Sequence, residues 1–324
     1  MKRLIAATAA AFACAGLLLP AAASALTFSP PTFDLAADPG QVLNQTIKVR
    51  NESTEPVTIT ASTASFAGKA GDETKGTPDL YPSNEERDGH GLGPWISLDR
   101  PERTLLPGES AELPYVIRIP KDASPGSYFG AVVIGTAAGA AENSVGFTGT
   151  AAALILLRVN GAVIEDLTLT GFTAPLVSSS LPVRFEARVE NRGTVHLRPY
   201  GEVVVKNVFG KTVATLAINR AEYKSVLPGA SRRYPASWQR HHVAADASIL
   251  TRQWRNFAIG PYTAELTFRY GEGKQVMKAK TQFWVVPWLV LLILGGGIVA
   301  LVLGLHWLLH HYRLKVIRRY EAQQ

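Results

Sequence analysis

The side chains able to do chemistry are poorly placed for it in this 324-residue chain. Its histidines, His90, His196, His241, His242, His306, His310 and His311, show no metal-ligand spacing with cysteine or carboxylates. His241 and His242 are adjacent, so on a strand they would face opposite sides. There is no Gly-x-Ser-x-Gly elbow, no glycine loop that cradles phosphate and no His-Glu-x-x-His pair. Carboxylates concentrate in residues 68–93, with Asp72, Glu73, Asp79, Glu85, Glu86 and Asp88 among glycine, proline and asparagine. They lack the Asp-x-Asp-x-Asn-Gly alternation of a compact calcium loop. Glu85 and Glu86 lie where nothing rigid would hold them as an acid–base pair. This stretch reads as an exposed loop. The expectation is a protein with no catalytic residues, no cofactor and no metal.

Binding chemistry is easier to find. Residues 238–257 mix guanidinium groups with aromatics: Trp238, Arg240, Arg252, Trp254, Arg255 and Phe257. Arginine and tryptophan combine large area with directed hydrogen bonds, which suits a partner-binding hot spot. Trp238 and Trp254 equally suit core positions at strand ends. A second candidate surface comes from residues 145–159, which alternate as a strand. Val145, Phe147, Ala151, Ala153, Ile155, Leu157 and Val159 would face a core, yet Ala152, Leu154 and Leu156 on the other face are apolar too. A sheet face turned to water should be polar. Leu154 and Leu156 are therefore expected to be covered, either by the domain that follows or by a partner adding a strand.

The elements that position these residues read as all-β. Residues 45–50, 57–62, 111–119, 128–135, 183–189, 202–208 and 263–270 are short and rich in β-branched or aromatic residues. Thr46-Ile-Lys-Val-Arg50 and Phe185-Glu-Ala-Arg-Val189 alternate as half-buried strands do. No amphipathic helix of convincing length precedes the last apolar segment. An internal repeat divides the region. Ile47-Lys-Val-Arg-Asn51, Leu106-Pro-Gly-Glu-Ser110 and Pro125-Gly-Ser-Tyr128 recur in order as Ala187-Arg-Val-Glu-Asn191, Leu227-Pro-Gly-Ala-Ser231 and Gly260-Pro-Tyr262. Leu-Pro-Gly begins a tight turn, and each tyrosine suits a tyrosine-corner contact. The expected fold is two tandem immunoglobulin-like β-sandwiches, residues 26–160 and 161–284.

Both ends speak of membranes. Met1-Lys-Arg3, an apolar run and Ala23-Ser-Ala25 form a secretory signal peptide, residues 1–25, and cleavage would remove Cys14, the only cysteine. The sandwiches must then rest on packing without a disulfide, as in a bacterial surface protein. Residues 285–309 are apolar and long enough to cross a bilayer, with Trp284, Trp288 and Trp307 at the two ends. Arg313, Lys315, Arg318 and Arg319 make residues 310–324 a basic tail, cytoplasmic by the positive-inside rule. Between the ends, charge is uneven. Residues 26–157 hold 9 basic and 16 acidic side chains, residues 158–286 hold 18 and 9. The basic half suits anionic headgroups or an acidic partner, and nucleic acid is a poor partner for an external protein.

The first half resembles the WxL-interacting protein family, in its N-terminal peptidoglycan-binding domain. The resemblance spans about 130 residues and rests on Phe28-Ser-Pro-Pro-Thr-Phe-Asp-Leu35, Pro39-Gly40, Ile47-Lys-Val-Arg-Asn51, Gly93-Pro-Trp-Ile-Ser-Leu98, Leu106-Pro-Gly108 and Ile117 to Val133. It implies an immunoglobulin-like domain that binds cell-wall peptidoglycan. No ligand residues carry over. The expectation is a non-enzymatic, single-pass membrane protein that binds cell-wall glycan or other surface proteins. The alternative is a chaperone-like or accessory subunit of an export or assembly complex, since immunoglobulin-like domains can pair edge strands with clients. Oligomeric state is not legible.

Overall fold

The computed structural model describes residues 26–68, 73, 76–85, 87, 89–136, 151–221, 224–244 and 246–321, with side chains up to residue 312. Residues 1–25, expected as a signal peptide, the first part of the strand expected from residue 145 and the side chains of the basic tail lie outside the described residues. The chain divides into two compact units: one up to Ile164 together with Thr194–His196, and one from Glu165 onward together with Glu73.

In the first unit, strands β1 (Leu26–Ser29), β3 (Val42–Asn51), β8 (Ser110–Arg118) and β6 (Ile96–Leu98) form one sheet in that order. The second sheet runs β2 (Thr32–Ala37), β10 (Ala151–Val159), β9 (Gly126–Thr136), β4 (Val57–Gly68) and β5 (Pro78–Pro82), with β7 (Glu102–Leu105) also on β4. Alternation sorts the faces. Ile47, Val49, Tyr115 and Ile117 are buried, while Lys48 and Arg50 are exposed. The other sheet contributes Val132, Ile134, Ile155 and Leu157 to the same core. Phe33 meets Tyr115 edge to face at 5.5 Å, a favoured aromatic geometry.

The second unit repeats the plan. Strands β11 (Leu167–Thr173), β13 (Val183–Asn191) and β16 (Ser231–Trp238) form one sheet. The other has the order β12 (Val177–Ser178), β18 (Gln275–Val285), β17 (Gly260–Tyr270), β14 (Tyr200–Asn207) and β15 (Thr212–Ile218). In each unit the first strand segment lies in one sheet and its continuation crosses to the other, where it pairs parallel to the unit's last strand, β2 on β10 and β12 on β18.

The repeated sequence elements meet in space. Asn51 and Asn191, each at a strand end, are fully buried. The Asn51 amide donates to the carbonyls of Glu55 (2.8 Å) and Leu105 (3.1 Å). The Asn191 amide donates to the Val226 carbonyl at 2.8 Å. The backbone N–H groups of Gly108 and Gly229 donate to the backbone carbonyls of Asn51 and Asn191. Those two glycines carry φ of 74° and 70°, which explains glycine in each Leu-Pro-Gly turn. Both tyrosines form the expected corner contact: Tyr128 donates to the Ser124 carbonyl at 3.0 Å and Tyr262 to that of Ile259 at 3.3 Å.

One expectation needs correction. Residues 68–93 are not one exposed loop. Pro78–Pro82 pair with β4, and Tyr81 and Leu92 are buried. Two isolated apolar residues create no periodicity, so the sequence hid this. A short helix, α1 (Ile249–Arg255), precedes the apolar segment. It is capped by Ser248, whose side chain accepts from the Thr251 N–H at 3.2 Å. At two turns it is too short to show an amphipathic stripe. The apolar segment itself is α2 (Trp288–Glu321), two residues beyond the end of β18.

On the outer face of the second unit, Glu265 accepts from Lys206 at 2.6 Å and lies 2.8 Å from Lys280. The hydrogen bond from Lys206, then that from Lys280, lowers its carboxyl to about 2. A depressed carboxyl stabilises the fold above its unfolded pKa, and that contribution is lost as pH falls through the folded one. The site is partly exposed, so screening keeps the effect small. Glu265→Gln should cost about 0.5–1 kcal/mol at neutral pH and nothing near pH 2, read from thermal midpoints across that range.

Candidate functional site

β10 is the first candidate surface. Leu156 is buried and Leu154 half-buried, so this outer face is covered as its composition requires. Leu156 lies opposite Phe129 on β9. The Phe129 ring packs against Phe66 at 5.5 Å, His196 at 6.1 Å and His90 at 6.4 Å. A partner strand cannot pair along Leu154–Val159, because β9 holds one edge of β10 and β2 the other. The strand-addition reading of this stretch is therefore wrong.

Beside this cluster stands an arrangement that no local motif announces. The Ser127 hydroxyl lies 2.7 Å from Nδ1 of His196, whose Nε2 lies 3.0 Å from Asp34 Oδ1. The order of groups matches a nucleophile, base and orienting acid. Its surroundings do not. Ser127 is fully buried, and its hydroxyl also accepts the backbone N–H of His196 at 2.9 Å. The serine carbonyl is held near His90 Nδ1 at 2.9 Å. These bonds tie β2, β9 and His196 together through side chains.

The arginine–tryptophan segment divides in two. Trp238 is fully buried, with Tyr262 edge-on at 4.9 Å and Phe283 at 6.0 Å. It is a core residue, which corrects its candidacy as a contact side chain. Its position follows from alternation along β16, where Tyr234, Ala236 and Trp238 all point inward. Trp254 on α1 is 65% exposed. Arg240 and Arg255 are exposed and Arg252 is half-buried. Arg240 donates to the Phe257 carbonyl at 2.6 Å and Arg252 to that of Ala247 at 2.8 Å. Buried Asn256 holds the loop by accepting from the N–H groups of Arg240 (3.0 Å) and His241 (2.8 Å).

Sequence reasoning missed the residue that joins this segment to α2. Gln253 is fully buried, and its carbonyl accepts the backbone N–H groups of Leu289 (3.1 Å) and Val290 (3.2 Å). The Trp288 N–H donates to the Val286 carbonyl at 2.8 Å. The first turn of a helix leaves donors without intrahelical partners, and here those of Trp288, Leu289 and Val290 are all met. α1 thus clamps the start of α2. Among the described residues no group of histidine, cysteine or carboxylates could hold a metal ion.

No protein-family model matches the chain, and no curated protein does. Among solved structures it is similar to the class 5 fimbriae chaperone CfaA, at 12% identity over 79% of this chain and 99% of that one, with a TM-score of 0.39. It is also similar to the E. coli chaperone DraB, at 11% identity over 81% of this chain and 97% of that one, TM-score 0.34. A third is the Pseudomonas aeruginosa chaperone CupB2, at 9% identity over 80% and 100%, TM-score 0.36. At these scores the likeness carries no inference about this chain.

Proposed function

We propose that the chain is a non-enzymatic bacterial surface protein. α2 is its single membrane span, both β units lie on the extracytoplasmic side as tandem immunoglobulin-like sandwiches, and the basic end is cytoplasmic. The units bind cell-wall peptidoglycan or other surface proteins. One observation supports this above the rest. Trp288–Tyr312 is a 25-residue helical stretch whose most apolar 18-residue window has a mean hydropathy of 2.6 and is almost entirely unburied. A core helix of a soluble protein would hide such a surface. This one is long enough for a hydrocarbon core of about 30 Å and presents its apolar side chains outward. It leaves the second unit two residues after the last strand, so that unit stands directly at the bilayer. Glycan as ligand follows the resemblance of the first unit to WxL-interacting proteins. Full-length protein in detergent micelles should co-sediment with purified sacculi. Protein left wholly in the supernatant would remove peptidoglycan as ligand.

The chaperone-like or accessory reading draws on β15. Edge strands are usually guarded by charge, proline or a bulge. In the second unit β16 carries Arg232, Arg233 and Pro235, and β11 has a register shift between Leu169 and Gly171. β15, Thr-Val-Ala-Thr-Leu-Ala-Ile, is the sheet's last strand and has neither charge nor proline. Strand addition by a client would use such an edge. Lysines at exposed Thr215 and Ala217 should abolish capture of client proteins in cells by crosslinking while sacculus binding stays unchanged. Unaltered capture would exclude β15 as the docking edge.

A further inference from the structure

The second unit concentrates its exposed apolar side chains at one end. Strand register defines that end: Gly260 pairs with Val285, Val177 with Trp284, Asn207 with Tyr262, and Val183 with Trp238. It is the end from which α2 departs. Three loops meet there. The first presents Leu176 and Val177, the second Val208 and Phe209, and the third, with α1, Trp254 and Ile259. Their exposures run from 48% for Ile259 to 89% for Phe209. Among the described residues from 165 to 287, only two strongly exposed large apolar side chains, Tyr200 and Val276, lie at the opposite end, where both pair with Arg269. A soluble domain rarely gathers such a patch without something to cover it.

Charge and attachment identify the cover. Residues 239–259 hold Arg240, Arg252 and Arg255 against a single acid, Asp246. Tryptophan beside arginine is the composition of a surface seated at lipid headgroups. The patch also has a fixed depth. Gln253 ties α1 to Leu289 and Val290, and Val290 is 2% exposed, so α1, which carries Trp254, is held at the first turn of the apolar helix. Trp284 and Trp288, 52% and 46% exposed, make the patch continuous with the helix.

We propose that this end of the second unit is a lipid platform. Its apolar loop tips enter the headgroup region of the bilayer, and its three arginines face lipid phosphates. The proposal rests on α2 crossing that bilayer. The unit would then be seated on the membrane at three loops as well as through its helix. An anionic surface would strengthen the seating, since each basic group near it adds attraction that salt screens.

The test uses the full chain in vesicles of phosphatidylcholine with a minority of phosphatidylglycerol. Cys14 is replaced by serine, and single nitroxides are placed through Trp254→Cys, Phe209→Cys, Val276→Cys and Leu301→Cys. All four native side chains are exposed, so the labels should leave the fold intact, which thermal melting verifies. Val276 is the control, an exposed apolar residue on the same strand as Trp284 but at its far end. Collision with a water-soluble nickel chelate should be at least about threefold lower at 254 and 209 than at 276, as expected for side chains in the interface. Chelate access at 254 and 209 equal to that at 276, with 301 protected, overturns the platform and leaves the span standing. Free access at 301 removes the span and the platform with it. Protection of 254 and 209 in native membranes but not in vesicles shows a protein cover and overturns the lipid assignment.

Discussion

Replacing Trp238 by alanine is expected to cost the second unit about 3–5 kcal/mol. The side chain is fully buried between Tyr262 and Phe283, so its removal leaves a cavity where two aromatic faces lose their partner. Its indole N–H has no acceptor among the described residues, so no hydrogen bond offsets that loss or is sacrificed with it. A domain has about 5–15 kcal/mol in hand, so the variant should sit close to unfolding. Trp254→Ala provides the contrast. That ring is 65% exposed, and truncating it should move stability by no more than about 0.5 kcal/mol. Hydrogen exchange of the β16, β17 and β18 amides, followed by mass spectrometry, reads the difference locally. Rapid exchange should appear in Trp238→Ala alone. Equal protection in both variants would remove Trp238 from the core.

These two tryptophans show what a sequence reveals and what it conceals. The parity of Tyr234, Ala236 and Trp238 already placed Trp238 inside, had residues 231–238 been recognised as a strand. Pro235 and two arginines obscured it. Elsewhere alternation was unbroken and the strands were legible, as in Thr46–Arg50 on β3 and Phe185–Val189 on β13. The repeat was legible because turns demand particular residues, and Leu-Pro-Gly occurs at the same point of both units. Contacts between distant segments left no local trace. Asp34, Ser127 and His196 are joined only by the fold. Gln253 is a polar residue in a seven-residue helix, and its burial depends on a helix that begins 35 residues later. Leu154 and Leu156 gave a partial signal. Their apolarity announced a covered face without saying what covers it, and the aromatic ring cluster around Phe129 is assembled from β4, β9 and two histidines far apart in sequence.

The repeated asparagine carries the other large effect. Asn51 spends its whole side chain on one corner. Its amide donates to Glu55 and Leu105, and its carbonyl accepts from the N–H (2.9 Å) and hydroxyl (2.6 Å) of Ser53. Asn51→Ala removes all four bonds and strands the buried Leu105 carbonyl. Each abandoned buried polar group costs about 1–3 kcal/mol, so a loss of about 2–4 kcal/mol is expected in the first unit. Asn191→Ala should act alike in the second, where the amide holds Val226 and the carbonyl accepts from the Gly193 N–H. An acid at position 51 separates donor from acceptor roles. In Asn51→Asp one carboxylate oxygen still accepts from Ser53, but the other faces two carbonyl oxygens. The ionised variant should therefore be no more stable than Asn51→Ala. Protonation returns a donor to that oxygen, so the folded acid holds its proton to higher pH than the unfolded one. A group whose folded pKa is raised adds stability as pH falls. Thermal melts of Asn51→Asp measured against wild type should show the deficit shrinking from neutral pH toward pH of about 4. A deficit constant across that range would mean that the amide's donor bonds to Glu55 and Leu105 contribute nothing, and that packing alone keeps asparagine at the corner.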